Sequence, residues 1–335
     1  MRMGVAVAAA PRAMAVATEP KKVANTLFRD MRGFNYQPSY GSNGFELWQN
    51  FNLPTIDLEL TQGKELFPKM GAIRVWLSWD SYIRNPRLFD ERFEATLQCA
   101  AKHRLVVMPV LFNRWHDYVL DYGGIYIDHL LLAQDKRRAL FQPYLESIVG
   151  KHKEDARIFA WDLCNEPVLT RLSATWTSSL RDAEYSWLSD AYTTCKRLGA
   201  RAPVCIGTGL NVEDIELAEP ITDIITTHPY FIQDRNKDLE KLDAIVDFAN
   251  RKNKPLLASE TCWGSLDDHE RAVIVQWTLS KLKERDIGWL AYVLHHSLIA
   301  DAHRPEFGPM DHAGNLSFIE ADGSLRPGHG VFNDF

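Results

Sequence analysis

Residues 141–166 read FQPYLESIVGKHKEDARIFAWDLCNE, and this stretch decides the fold. The apolar positions 141, 144, 145, 148 and 149 follow the spacing of a helix with one buried face. Residues 158–165 then form a nearly continuous apolar run, which is typical of a strand covered on both faces. A helix followed directly by a buried strand predicts one unit of a parallel α/β sheet.

The same alternation recurs along the chain from about residue 30. Eight apolar runs predict strands, with amphipathic stripes between them that predict helices. The runs are Gly33–Tyr36, Ala72–Leu77, Leu105–Phe112, Ile158–Asn165, Val204–Thr208, Ile224–His228, Leu256–Glu260 and Trp289–Leu294. Pro109 lies inside the third run, where it removes one N–H group from the ladder. Eight strand–helix units leave a closed (β/α)8 barrel or an open doubly wound sheet.

Two features favour the closed barrel, an α/β fold of the (β/α)8 TIM-barrel type, over the open sheet. The strands number eight, and no Gly-x-Gly-x-x-Gly loop follows any of them. The chain of 335 residues exceeds a barrel of ~250 residues by an amount that extended loops at the C-terminal face can absorb. We predict one catalytic barrel over residues 30–335. Residues 1–29 form an N-terminal extension, either a hairpin turning at Pro11-Arg12 or a cleaved leader.

Composition excludes several classes of protein. The chain has 38 basic and 44 acidic side chains and a net charge of −6, which does not favour nucleic acid or an anionic membrane. No segment approaches the ~20 apolar residues of a membrane-spanning helix. The 5 cysteines are widely spaced and predict neither a disulfide framework nor a zinc site. They favour a reducing, cytoplasmic location, with secretion left open and the oligomeric state not indicated.

In a barrel, function is expected where the strands end. Polar and aromatic side chains concentrate there: Asn35, Arg74, Trp76, Asn113, Trp115, His116, Asn165, Glu166, His228, Tyr230, Glu260, Trp263, His295 and His296. Glu166 and Glu260 each close an apolar strand, where a carboxylate is costly without partners or a catalytic role. Either one alone could cap a helix or pair with an arginine. Together they predict a catalytic pair.

The run Trp161-Asp-Leu-Cys-Asn165-Glu166-Pro167 resembles the Asn-Glu-Pro motif at the end of the fourth strand in clan A retaining glycoside hydrolases, family 5 in particular. Arg74, His228, Tyr230 and Glu260 stand where that cellulase- and mannanase-like family places its functional residues. The resemblance implies that Glu166 is the general acid/base and Glu260 the nucleophile. It also implies that Arg74 and Tyr230 keep Glu260 ionised and that His228 tunes Glu166. Asn165 would hold the sugar 2-hydroxyl.

The resemblance therefore implies a retaining β-glycoside hydrolase that cleaves a β-linked gluco- or manno-type oligosaccharide or polysaccharide by double displacement, without a cofactor. Two alternatives stay open. The first is a transglycosylase that uses the same glutamates but excludes water from the second step. The second is a non-catalytic carbohydrate-binding barrel, although binding alone requires neither carboxylate.

Aromatic residues in the loops after the first and third strands either stack on sugar or staple these loops to the barrel. We expect Trp115 and Trp263 to contact the sugar. The family usually has a tryptophan near the end of the eighth strand, where this chain has Val293 and Leu294. We expect Trp263, or His295 and His296, to cover that face. The histidines and aspartates between residues 295 and 312 match no compact ligand spacing, so no metal is predicted.

Overall fold

The strands of this computed structural model, which describes residues 19–114, 124–170, 176–232, 234–301 and 313–335, close into one parallel barrel in chain order. The strands are β1 (Arg32–Asn35), β2 (Ala72–Trp76), β3 (Val106–Asn113), β4 (Trp161–Asn165), β5 (Val204–Gly209), β6 (Ile225–His228), β7 (Leu256–Ala258) and β8 (Gly288–Ala291). β8 pairs with β1 and closes the barrel. The predicted fold class is confirmed.

Three strands are shorter than their apolar runs by two residues or more. β4 begins at Trp161 because Ile158 makes only an isolated bridge to Val107. β7 ends at Ala258, although the Ser259 N–H still donates to the Thr227 carbonyl at 3.1 Å. β8 ends at residue 291, three residues earlier than predicted. At β7 and β8 the buried residues continue past the end of the strand, because side chains beyond the strand ends cover the barrel mouth.

Helices surround the barrel between successive strands. They are α1 (Gly44–Gln49), α2 (Leu53–Leu66), α3 (Trp79–Arg84), α4 (Pro86–Lys102), α5 (Ile127–Leu131), α6 (Gln134–Lys151), α7 (Ser178–Leu198), α8 (Val212–Ala218), α9 (Arg235–Lys252), α10 (Asp268–Lys283) and α11 (Leu298–Asp301). The helical stripe predicted at residues 141–149 is the buried face of α6. Most of these helices start at an Asn, Asp, Ser or Thr that accepts a backbone N–H, as helix N-termini require.

The N-terminal end of the barrel is closed by apolar side chains. Phe28 lies beneath the interior layer formed by Ala72, Met108, Leu257 and others, and its ring packs 6.0 Å from that of Phe159.

The predicted turn at residues 11–12 lies outside the described part of the chain. All five cysteines are buried and free. Among the described helices, none has the length and apolar content required to cross a bilayer. The polar side chains of the barrel interior lie at the C-terminal end of the barrel, opposite the end that Phe28 covers.

Candidate active site

Arg74 on β2 organises the C-terminal mouth of the barrel. Its side chain is fully buried and donates hydrogen bonds to Asn35 Oδ1 at 2.9 Å, Asp162 Oδ2 at 2.8 Å, Asn165 Oδ1 at 2.8 Å and Glu260 Oε1 at 2.5 Å. Burial lowers the pKa of Arg74, but Asp162 and Glu260 raise it more, so the guanidinium stays charged. One cation thereby fixes side chains from β1, β4 and the end of β7.

Glu260 is the more enclosed of the two predicted catalytic carboxylates. Its side chain is 7% exposed, and the Tyr230 hydroxyl donates to Oε2 at 2.8 Å. Burial raises the pKa of Glu260, but His228 and Arg74, together with the Tyr230 hydroxyl, lower it more and hold it below its ordinary value. Glu260 is therefore ionised at neutral pH. Burial and Glu260 raise the pKa of Tyr230 well above 10, so the phenol stays a donor.

Glu166 directly follows β4 and has a different environment. Its φ of 45° lies in the left-handed region, which a residue with a β-carbon rarely adopts. The Glu166 N–H donates to the Gly207 carbonyl at 2.8 Å, and His228 Nδ1 lies 2.7 Å from Oε1. The side chain is 27% exposed. An oxygen of Glu166, an oxygen of Glu260 and a ring nitrogen of His228 all lie within 4.8 Å of one another.

Asp162 forms the floor beneath the two glutamates. Its Oδ1 accepts the N–H groups of Gly207 at 3.0 Å and Cys164 at 3.1 Å, while Oδ2 binds Arg74. Burial raises the pKa of Asp162 and Arg74 opposes this rise. A β-carbon at Gly207 would lie 2.9 Å from Asp162 Oδ2 and 3.0 Å from Arg74 Nη2, so only glycine fits here without displacement.

Four aromatic rings line the mouth. Tyr230 packs edge-on against Trp263 with ring centroids 5.2 Å apart, and Trp76 packs edge-on against Tyr292 at 6.3 Å. Tyr292 directly follows β8. The expectation that Trp263, or His295 and His296, covers the sugar at the end of β8 stays a prediction. The His295 ring lies 3.1 Å from Gln62 Oε1 on α2, on the helical side of the barrel wall.

The structure brings together most of the predicted site residues. Eight of them converge on the mouth: Arg74, Asn113, Asn165, Glu166, His228, Tyr230, Glu260 and Trp263. Asn113 joins the group because its Oδ1 accepts a 3.0 Å hydrogen bond from Asn165 Nδ2. Trp115 and His116 lie outside the described residues. The His296 N–H donates to the Ile319 carbonyl at 2.8 Å. In the loop after β1, Trp48 packs 4.7 Å from Phe89 in the core, so it staples α1 to the barrel.

Three residues of the mouth were missed by sequence reasoning. Asp162 had a signal, because it and Arg74 are the two charged side chains in the interior of the apolar strand runs. Tyr292 lay within the predicted eighth strand, and Gln37 lay one residue beyond the first. Neither had a signal in the sequence, because both depend on how far each strand extends before the mouth begins.

Among the described residues, three groups of metal-competent donors come together. In two of them a basic side chain already binds a carboxylate: Lys102 binds Asp57 at 2.7 Å, and Arg157 binds Asp155 at 2.6 Å. The third group is Glu166, His228 and Glu260, where Arg74 neutralises Glu260. These cations account for the clusters as ion-pair networks.

A closed barrel with two carboxylates at the ends of β4 and β7 is the arrangement expected of a barrel glycoside hydrolase. The family model described as Cellulase, glycosyl hydrolase family 5, matches residues 40–297, and the chain belongs to this family. The predicted resemblance is confirmed.

Two curated relatives illustrate the sequence similarity. The probable mannan endo-1,4-β-mannosidase A of Aspergillus niger is 26% identical over 201 residues, which cover 52% of this chain and 50% of that protein. The probable mannan endo-1,4-β-mannosidase F of Neosartorya fischeri is 25% identical over 220 residues, covering 57% of this chain and 46% of that protein. The chain therefore matches half the length of these relatives or less.

Solved structures show the same fold. The exo-β-1,4-mannosidase from Opitutaceae bacterium strain TAV5 superposes with a TM-score of 0.71 at 16% identity, covering 91% of this chain and 58% of that one. The endo-β-1,4-mannanase from Thermotoga petrophila superposes with a TM-score of 0.63 at 17% identity, covering 95% and 76%. At these identities the likeness concerns the barrel architecture.

Proposed function

We propose that this chain is a retaining β-glycosidase that acts on a β-linked manno-type saccharide by double displacement. The observation that carries the proposal is the approach of Glu166 and Glu260, with oxygens within 4.8 Å of each other. Retaining glycosidases keep their carboxyl groups about 5–5.5 Å apart, whereas inverting enzymes need about 6.5–9.5 Å to admit a water molecule. The close approach supports direct attack by a carboxylate on the anomeric carbon.

In the first step, Glu260 attacks the anomeric carbon while Glu166 transfers its proton to the glycosidic oxygen. The bond between the anomeric carbon and that oxygen breaks, and a glycosyl ester forms on Glu260. Arg74 and Tyr230 support this role of Glu260 because both donate hydrogen bonds to its carboxylate. Glu166 has no arginine or lysine among its described partners and is more exposed, which suits a group that must carry a proton and meet the leaving group.

In the second step, Glu166 takes a proton from water, and the water oxygen attacks the anomeric carbon and releases Glu260. The two inversions restore the original β configuration. His228 contacts both carboxylates, because its Nδ1 lies 2.7 Å from Glu166 and 3.7 Å from Glu260. It can therefore hydrogen-bond to the carboxylate that is ionised in each step. The same residues would serve a transglycosylase if a sugar hydroxyl replaced water.

The manno-type substrate is supported by the names of the curated relatives, which are mannan endo-1,4-β-mannosidases. The four aromatic rings at the mouth provide apolar faces on which pyranose C–H groups can stack. We therefore expect a β-mannoside to be cleaved faster than the matching β-glucoside. Mannan and β-mannooligosaccharides are the natural polymer and oligomer to test.

The experiment combines a substrate panel with product stereochemistry. Aryl β-mannoside, aryl β-glucoside and mannan are incubated with the protein, and NMR identifies the first-formed anomer. We expect a β anomer from wild type and more than a thousandfold loss of turnover in E260Q and E166Q on mannan. The matched control is E91Q. Glu91 is an exposed glutamate on α4 whose ion-pair partner among the described residues is Arg87, and E91Q should equal wild type.

An α anomer as the first product would contradict the retaining mechanism. Turnover of E260Q within tenfold of wild type would remove the nucleophile from the proposal. Binding of mannooligosaccharide without cleavage of any substrate would support the non-catalytic barrel. Transfer products that dominate when a sugar acceptor is added would support the transglycosylase.

A further inference from the structure

Gln37 occupies the layer of the mouth directly above the charged network. Along an extended segment, side chains alternate between opposite faces. Asn35 points into the barrel and binds Arg74, whereas the Tyr36 hydroxyl donates outward to Glu59 Oε2 on α2 at 2.6 Å. The Tyr36 N–H still donates to the Arg74 carbonyl at 2.9 Å, so the segment remains extended. Gln37 therefore points inward again, about 7 Å further towards the mouth.

The side chain of Gln37 is held at one end only. It is 6% exposed, and its Oε1 accepts the Tyr292 hydroxyl at 3.1 Å. Its Nε2 has no hydrogen-bond partner among the described residues, and it is not among the fully enclosed polar atoms that lack one. This amide nitrogen therefore has access to the mouth. A buried amide with its oxygen bound and its nitrogen accessible can donate that free hydrogen bond to a ligand atom.

The surroundings of Gln37 indicate what that ligand atom is. Trp76, two residues beyond Arg74 on β2, and Tyr292, directly after β8, flank it from the two strands that pair with β1. Their rings meet edge-on across β1 at 6.3 Å. Glu260 binds the same Arg74 that Asn35 contacts one layer below. A pyranose placed with its anomeric carbon at Glu260 would present ring hydroxyls to this wall.

We infer that Gln37 is a specificity-determining residue that donates a hydrogen bond from Nε2 to a hydroxyl of the sugar bound over Glu260, with Tyr292 fixing the orientation of the amide. This inference rests on the proposed glycosidase function and names the sugar-recognition contact of that site. The ligand class is a β-hexopyranoside with an unmodified hydroxyl at the contacted carbon.

A hydrogen-bond donor that is buried and fixed in place discriminates between substrates that have the contacted hydroxyl and substrates that lack it. A substrate that lacks the contacted hydroxyl leaves Nε2 unpaired in the complex, and an enzyme that lacks the donor gains nothing from the hydroxyl. Loss of either partner should lower kcat/KM about 3- to 12-fold, the range expected for one hydrogen bond to a neutral group. Loss of both should cost little more than the loss of one.

The test is a cycle between enzyme variants and deoxy substrates. Q37M preserves the length of the side chain and removes both polar atoms. Q37E keeps an acceptor for Tyr292 but replaces the donor with a carboxylate oxygen and adds a negative charge to the mouth. Y292F keeps the amide of Gln37 but removes the hydroxyl that binds its Oε1. Each folded variant, checked by circular dichroism and thermal unfolding, is assayed on an aryl β-mannoside and on its 2-, 3-, 4- and 6-deoxy analogues.

We expect Q37M to lower kcat/KM about 3- to 12-fold on the parent glycoside, Q37E to lower it at least as much, and Y292F to lower it less. For one deoxy analogue, wild type and Q37M should have the same kcat/KM within twofold. A Q37M variant within twofold of wild type on the parent glycoside overturns the inference, and so does an equal loss on every deoxy analogue. Absence of cleavage by wild type overturns the glycosidase proposal itself, so the two failures are distinct.

Discussion

Removal of the Tyr230 hydroxyl should raise the pKa of Glu260 without changing the shape of the site. Tyr230→Phe deletes one hydrogen bond of 2.8 Å to Glu260 Oε2 and leaves the ring against Trp263. A hydrogen bond to a charged group contributes about 1.5–3 kcal/mol. Since 1.4 kcal/mol corresponds to about one pKa unit, the pKa of Glu260 should rise by about 1–2 units. The direction is upward because the hydroxyl stabilises only the ionised carboxylate.

The assay is the pH profile of kcat/KM on an aryl β-mannoside, because its acidic limb reports the ionisation of the nucleophile in the free enzyme. We expect the acidic limb of Tyr230→Phe to lie about 1–2 pH units above that of wild type. Tyr192→Phe is the matched control, since it removes a 3.0 Å hydroxyl–carboxylate bond from α7 to Asp223, which precedes β6 and lies outside the site. An acidic limb that stays in place, or moves to lower pH, would refute the assigned role of Tyr230.

Three further predictions concern the floor of the site and the C-terminal segment. Asp162→Asn should lower the free energy of unfolding in urea by about 3 kcal/mol, the low end for breaking a buried ion pair, because Arg74 keeps a second carboxylate. Gly207→Ala should lower kcat about 10- to 100-fold and the free energy of unfolding by about 1–3 kcal/mol, because its β-carbon would push on the buried side chains of Asp162, Arg74 and His228. Burial, reinforced by a neighbouring arginine, lowers the pKa of His329 to about 4. Wild type should therefore lose stability as the pH falls from about 6.5 to about 4, whereas His329→Asn should lose less over that range.

The barrel was predictable because its pattern is repeated eight times. Each apolar run is long enough to be buried on both faces, and the stripe of α6 at residues 141–149 has the spacing of a packed helix. Strand ends were less predictable. The runs at Leu256–Glu260 and Trp289–Leu294 continue two or three residues beyond β7 and β8 because the buried mouth itself requires apolar and aromatic side chains.

The charged centre of the site could also be predicted from the sequence, since Glu166 and Glu260 close apolar strands and the neighbouring motif resembles a known family. The layer of side chains above this centre, which holds Tyr292 and Gln37, could not be predicted. The Tyr292 hydroxyl donates to Gln37 Oε1 at 3.1 Å, although the two residues are 255 positions apart in the chain. This hydrogen bond depends on the pairing of β8 with β1 that closes the barrel. No local pattern encodes that closure, so the contact between Tyr292 and Gln37 emerges only from the structure.

The assignment of separate roles to the two glutamates is tested most directly by azide rescue. In E260A, azide can occupy the space of the lost carboxylate and attack the anomeric carbon of an activated aryl β-mannoside directly, which gives an α-mannosyl azide. In E166A, the ester on Glu260 still forms, and azide attacks it from the opposite side to give a β-mannosyl azide. NMR of the two products distinguishes these outcomes. The account predicts α from E260A and β from E166A, and the reverse pair, or no azide product from either variant of an active wild type, would contradict it.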